Sequence, residues 1–240
     1  MTSETFSKWK SLVSQIWYEK EKICLLCSRK SIETICPECQ EIYFQPQMRR
    51  CISCGKLIAN QGTQCKDCLS GIGPKGLMKV VTLGYYENAW RELICNVKFK
   101  SQPYLLLGIS DCLTELAMKN LPPPDAVVPV PIHPHKLAER GFNQAEIIAS
   151  ILSNHLGIPI KNYILRTKNT LPQTSLGRKE RIENLHGAFE IKEKVMKDEI
   201  IWLADDVTTT GATLEECAQI LKTNGVKEVY GVCLGAGKEE

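Results

Sequence analysis

Eight cysteines fall into four C-x-x-C pairs, Cys24/Cys27, Cys36/Cys39, Cys51/Cys54 and Cys65/Cys68. Each pair can present two thiolates to one ion from a tight turn, and four thiolates complete a tetrahedral zinc shell. Eight residues separate the first two pairs and ten the last two. Two sequential four-cysteine ribbons are the simplest assignment, and an interleaved pairing fits the same counts. No histidine lies in the segment, and eight thiolates filling two shells leave no coordination position open for catalysis. The segment also has too few large apolar side chains to fold on burial alone, so two structural Zn²⁺ ions are expected to supply much of its folding free energy.

A second constellation lies near the C-terminus. The apolar run at 200–204 leads into Asp205 and Asp206, then Val207, Thr208, Thr209, Thr210, Gly211, Ala212 and Thr213, and a helical pattern follows to an Asn224-Gly225 stop. The amides, hydroxyls and helix dipole of 209–213 suit a phosphate, with Gly211 letting the backbone approach closely. Carboxylates suit sugar hydroxyls or Mg²⁺. Side by side they describe a site for a ribose phosphate. The chain has no G-x-x-x-x-G-K-[ST] and no G-x-G-x-x-G after a strand, which disfavours a Walker-type NTPase and a dinucleotide fold.

Two basic stretches could complete such a site. Pro129-Val130-Pro131 ends a strand in a rigid turn and leads through His133, His135 and Lys136 to Arg140-Gly141-Phe142-Asn143-Gln144. Arg140 is expected on phosphate, Asn143 and Gln144 suit helix capping, and the two histidines read as solvated loop residues. After Leu165 a long loop carries Arg166 and Lys168 and runs on to Arg178, Lys179 and Arg181, a length and charge suited to a lid over polyphosphate. Lys98 and Lys100, flanking Phe99, read as surface charges.

The elements that must hold these groups alternate. Strand patterns at 78–86, 126–130, 158–165, 200–204 and 228–234 are interleaved with helical patterns at 89–99, 105–119, 145–156 and 213–223. That order predicts an α/β fold, a mostly parallel sheet flanked by helices, with ligands beyond the carboxyl ends of the strands. A Gly/Pro-rich joint at 70–76 divides a cysteine-rich unit, 23–72, from the α/β unit, 73–240. At 1–22, Phe6, Trp9, Leu12, Val13, Ile16 and Trp17 make one face of an amphipathic helix, expected to dock on the rest of the protein. Cys95, Cys112, Cys217 and Cys233 lie in periodic apolar segments and read as small buried hydrophobes.

Composition narrows the function classes. With 30 basic and 27 acidic side chains the formal charge is +3. The pI of 8.2 falls below the strongly basic range of nucleic-acid domains, so such binding is permitted and not implied. The longest candidate membrane span, 126–132, contains two prolines, and no secretory apolar region follows Lys8 and Lys10. A cytoplasmic protein without a membrane span is expected.

The run D-D-x-x-T-T-G-x-T at 205–213 resembles the signature with which type I phosphoribosyltransferases bind phosphoribosyl pyrophosphate (PRPP), and every specified position is filled. Adding the C-x-x-C pairs, P-V-P at 129–131, R-G-F-N-Q at 140–144, T-x-x-Q at 170–173, R-x-x-N at 181–184 and G-A-F at 187–189, nearly the whole chain from Cys24 onward resembles the ComF family. These competence-associated proteins join a zinc ribbon to a phosphoribosyltransferase-like domain. The resemblance implies that 208–213 bind the 5-phosphate of Mg²⁺-PRPP, that Asp205 and Asp206 hold the ribose hydroxyls and stabilise the transition state, and that Arg140 and Arg166 assist. It further implies a link to DNA uptake in natural transformation, with single-stranded DNA and a competence helicase as partners. The contrasting expectation is a non-catalytic binding module whose PRPP pocket is regulatory.

Overall fold

The structure is a computed structural model that describes residues 22–58, 61–100, 102–170 and 178–239. The helix expected at 4–19 and the centre of the basic loop, 171–177, lie outside the described residues.

Four strands form one parallel sheet: β5 (Lys79–Tyr85), β6 (Ala126–Pro129), β9 (Ile200–Thr208) and β10 (Glu228–Ala236), in the order β5-β10-β9-β6. The continuous apolar run Ile200-Ile201-Trp202-Leu203-Ala204 suits a strand covered on both faces, and the helices divide accordingly. Against one face pack α3 (Asn88–Phe99), a 3₁₀ turn (Pro103–Ile109), α4 (Ser110–Asn120) and α6 (Gln144–Leu156), burying Trp90, Leu113 and Ile148 with Trp202 and Ala204. Against the other pack α7 (Arg178–Leu185) and α8 (Ala212–Thr223), burying Leu185, Leu214 and Leu221 with Ile201 and Leu203. The chain forms the expected α/β class. Cys217 and Cys233 are buried, Cys95 and Cys112 half-buried.

Three elements differ from the sequence pattern. The strand expected at 158–165 is mostly absent: the chain makes one bridge to Val127, through Pro159 O and Lys161 N, and then leaves the sheet, since Pro129, next along that edge, has no amide to give Lys161 O. Only β7 (Ile164–Arg166) is extended, and it pairs antiparallel with β8 (Phe189–Ile191) outside the main sheet. The helix expected at 105–119 begins as the 3₁₀ turn, which brings Gly108 against Leu25 and Thr34, where a Cβ would stand 2.7 and 2.6 Å from their side chains. The strand expected to end at Ala204 continues to Thr208, because β10 pairs with it along its whole length.

The cysteine-rich unit is built from hairpins β1 (Lys22–Ile23) with β2 (Lys30–Ser31) and β3 (Arg49–Arg50) with β4 (Leu57–Ile58), and from one-turn helices α1 (Pro37–Cys39) and α2 (Lys66–Leu69). Its first half joins the main core. Cys24, Ile35, Cys36, Cys39 and Phe44 belong to the same buried cluster as α3, and Phe44 meets Trp90 edge-on at 5.0 Å. Its second half covers the free edge of β5: Val80 N donates to Ile52 O (2.7 Å), Thr82 Oγ1 to Gly55 O (2.8 Å) and an Arg50 Nη2 to Leu83 O (3.2 Å). A sheet edge that would otherwise present unpaired backbone is thereby closed.

Candidate functional site

The cysteines gather as two sequential sets, Cys24/Cys27/Cys36/Cys39 and Cys51/Cys54/Cys65/Cys68, each with its four sulfurs within 4.8 Å of one another. A tetrahedron with zinc–sulfur bonds of about 2.3 Å has edges of about 3.8 Å, and Cys27–Cys36 and Cys54–Cys65 each stand at 3.7 Å. Ser28 (φ 59°) and Gly55 (φ 75°), each just after its knuckle, take the left-handed backbone that turns the loop back on the ion site. Burial pushes the Cys39 thiol up, and the hydrogen bond to Cys51 does the same for Cys68. Four thiolates so crowded need a cation to ionise together. The donor set, its dimensions and its burial fit Zn²⁺.

The acidic pair stands at the carboxyl end of β9, where strand alternation turns Asp206 to the α3 side and Asp205 to the α8 side. Asp206 is 8% exposed, and its Oδ2 lies 2.6 Å from Lys98 Nζ. Asp205 accepts a hydrogen bond from the Asp206 amide at 2.8 Å. Burial and the neighbouring Asp206 nevertheless push its carboxyl up to about 7, against the pull of Lys98 and Arg166. Asp206 is thus engaged by an ammonium, and Asp205 keeps its proton to higher pH than an ordinary carboxyl does. Such a pair accepts hydrogen bonds from hydroxyls more readily than it grips a divalent cation.

Beyond Thr208 the chain turns through Thr209 and Thr210 into Gly211 (φ 79°), and α8 begins at Ala212. Thr210 Oγ1 accepts from the Ala212 amide at 3.3 Å. Residues 207–214 line a hollow over the helix N-terminus together with Asp205. Asp205, Val207 and Thr213 also line the adjoining cavity of about 520 Å³, whose other walls include Lys98, Phe99, Lys136, Arg140, Gln144 and Arg166.

Beside Lys98, three cations on two elements face that cavity. Lys136 and Arg140 come from α5 (Pro134–Arg140), the short helix after the Pro129-Val130-Pro131 turn, and Arg166 ends β7. Arg140 Nη1 donates to Gln144 Oε1 at 2.6 Å, and its guanidinium covers the Phe99 ring at 5.6 Å. Arg166 lies over Phe189 at 5.4 Å and donates to Thr170 Oγ1. Burial pulls the Lys136 ammonium down, and Arg166 and Arg140 add to the fall. The nearby Glu139 carboxylate turns to His135, at 3.4 Å. The wall is a concentration of positive charge suited to an anion.

The structure therefore brings Asp205, Asp206, 208–213, Arg140 and Arg166 to one end of the sheet. Arg166, expected on a lid loop, instead ends a strand and packs on Phe189. Lys98 is not a surface charge: it is held by Asp206, and the signal that could have found it is its place in the last turn of a helix preceding the site. Asn143 does cap α6, its Oδ1 accepting from Ala145 N at 3.1 Å, and the His133 ring caps α5. Gln144, expected as a cap, is buried and orients Arg140.

The described residues define an α/β domain built on a four-stranded parallel sheet and carrying two tetracysteine clusters. The chain belongs to the ComF family: it is 33% identical over 192 residues to competence protein F of Haemophilus influenzae, covering 75% of this chain and 81% of that one. DNA utilization protein YhgH of Escherichia coli K12 is 30% identical over 220 residues, covering 88% and 89%. Competence protein ComFC of Streptococcus pneumoniae is 27% identical over 210 residues, covering 85% and 89%. No protein-family model matches the chain. Among solved structures, a purine phosphoribosyltransferase of Pyrococcus horikoshii overlays with a TM-score of 0.36 at 24% identity, covering 55% of this chain and 72% of that one. Among the described residues no helix is long and apolar enough to cross a membrane.

Proposed function

We propose that this protein binds Mg²⁺-PRPP and transfers its phosphoribosyl group to a nucleophilic acceptor, releasing pyrophosphate. The observation that carries the reading is a cavity and the hollow adjoining it, together bordered by three chemistries: a carboxylate pair at a strand end, a Thr/Gly turn at a helix N-terminus, and the Lys136/Arg140/Arg166 wall. Asp205 and Asp206 accept from the ribose hydroxyls, the 208–213 turn receives the 5-phosphate, and the cations receive pyrophosphate.

In the reaction, the bond from C1 to the pyrophosphate oxygen breaks with its electron pair leaving on pyrophosphate. The acceptor's lone pair forms the new bond to C1, and the acceptor gives up a proton to solvent. Positive charge that develops on the ribose is stabilised by the carboxylates beneath it. Mg²⁺ bound to the substrate neutralises pyrophosphate charge. Zn²⁺ in both tetracysteine clusters completes the protein, whose setting is the cytoplasm.

The test is calorimetric titration with PRPP and Mg²⁺, followed by an acceptor screen that detects pyrophosphate. An Asp205→Asn, Asp206→Asn double variant should lose PRPP affinity, and unchanged affinity would defeat the site assignment. The competence and DNA utilization names of the relatives favour a role in DNA uptake, beside single-stranded DNA and a competence helicase. Salt-steep binding of single-stranded DNA, with no pyrophosphate from any acceptor, would favour a regulatory pocket over turnover.

A further inference from the structure

The exit from the second cysteine cluster passes directly over the phosphate turn. Gly73 abuts Cys68 so closely that a Cβ there would collide with the sulfur. Pro74 is buried and seats on Gly211, where an added Cβ would stand 3.0 Å from Pro74 Cδ and Cγ. The next two amides, of Lys75 and Gly76, both donate to Glu215 Oε2, at 2.8 and 2.7 Å. Glu215 Oε1 in turn accepts from Gln219 Nε2 at 2.8 Å. Four consecutive residues thus run from a cluster sulfur to the turn, fastened by one carboxylate in the first turn of α8.

A carboxylate in that position repels an arriving phosphate, so on electrostatic grounds alone it lowers affinity. We infer that Glu215 is a positioning residue: it clamps residues 73–76 onto Gly211, so that an intact cluster at Cys51/Cys54/Cys65/Cys68 and sugar-phosphate binding support each other. The inference rests on the PRPP reading for its ligand. A tethered Pro74 fixes Gly211 in its left-handed conformation, and that conformation aims the amides that follow. Loss of the cluster would free Gly73 and loosen the turn, and by linkage a bound phosphate would hold the cluster closed.

Glutamine at 215 keeps the acceptor oxygen and removes the charge, whereas alanine removes both. The expected result is that Glu215→Ala binds Mg²⁺-PRPP about tenfold more weakly and gives up zinc faster to a chromogenic chelator. Glu215→Gln should remain within about twofold of the native protein in both measurements. If Glu215 acted only through its charge, both variants would bind more tightly, and that outcome overturns the clamp. Saturating PRPP should slow release of one of the two zinc ions from the native protein and have no such effect in Glu215→Ala. Were the native protein to show no PRPP binding, the sugar-phosphate reading would fail separately. The clamp would then stand or fall on chelation alone, and an unchanged release rate in Glu215→Ala would overturn it.

Discussion

Lys98 Nζ stands 2.6 Å from Asp206 Oδ2, with the two side chains 20% and 11% exposed. Burial pulls the ammonium's proton affinity down, but Asp206, and Asp205 behind it, raise it by more, so Lys98 stays charged. The last turn of α3 thus neutralises the acidic pair in advance of any ligand. Lys98→Met leaves two adjacent carboxyls without their cation. It should lower stability at pH 8 by about 2–3 kcal/mol in urea denaturation. The loss should shrink near pH 5, where Asp205 is protonated; an equal loss at both pH values would mean that Lys98 contributes packing alone.

Asp205 supplies a second pH signature. Its carboxyl is raised from 3.8 to about 7, so between those values the folded state holds a proton that the unfolded state has released. Stability from this group is fully present below about pH 4 and is lost as pH rises through about 7. Asp205→Asn should abolish that slope and stabilise the protein at pH 8 by a few kcal/mol at most. Mg²⁺-PRPP affinity of the native protein should rise as pH passes 7, since an ionised Asp205 is the better acceptor. A pH-independent difference in unfolding midpoint between the two proteins would contradict the assignment.

The parts legible in the sequence were those set by local rules. The C-x-x-C spacings gave the eight cysteines but not which pairs share a shell, and the apolar run into Asp205 and Asp206 placed the acids near a strand end beside a Thr/Gly turn. What the sequence did not show depends on distant partners. The continuation of β9 through Thr208 is imposed by pairing with β10, and the loss of most of the strand expected at 158–165 follows from Pro129 on the partner strand, which has no amide for Lys161 O. The roles of Lys98 and Glu215 arise from residues more than 100 positions away along the chain, where periodicity carries no information.

The two cysteine clusters should differ in what their loss does. Cys24, Cys36 and Cys39 share a buried cluster with Trp90, Leu106 and Trp202, whereas Cys51, Cys54 and Cys65 form a small cluster of their own with Ile58. Elemental analysis should find two zinc ions per chain, and one in either Cys36→Ser or Cys54→Ser. Cys36→Ser should broaden or abolish the main thermal transition. Cys54→Ser should leave it cooperative and expose the β5 edge, read as faster amide exchange at Val80 and increased self-association. Equal effects of the two substitutions on the main transition would show that the second cluster is part of the same cooperative core.

Gln144 separates stability from binding. It is 2% exposed; its Oε1 holds Arg140 at 2.6 Å, while its buried Nε2 has no hydrogen-bond partner among the described residues. An unpaired buried donor costs about 1–3 kcal/mol, so the side chain is retained at a thermodynamic loss that orienting Arg140 toward the cavity would explain. Leucine has similar volume and no polar atoms. Gln144→Leu should therefore match or exceed native stability in urea by up to about 1 kcal/mol, yet bind Mg²⁺-PRPP about tenfold more weakly as Arg140 loses its orientation. Arg140→Lys in the native background should weaken binding by a comparable factor, because a point charge cannot reproduce the fork of the guanidinium. Unchanged affinity in Gln144→Leu, with stability raised, would show that the glutamine serves neither the fold nor the anion wall.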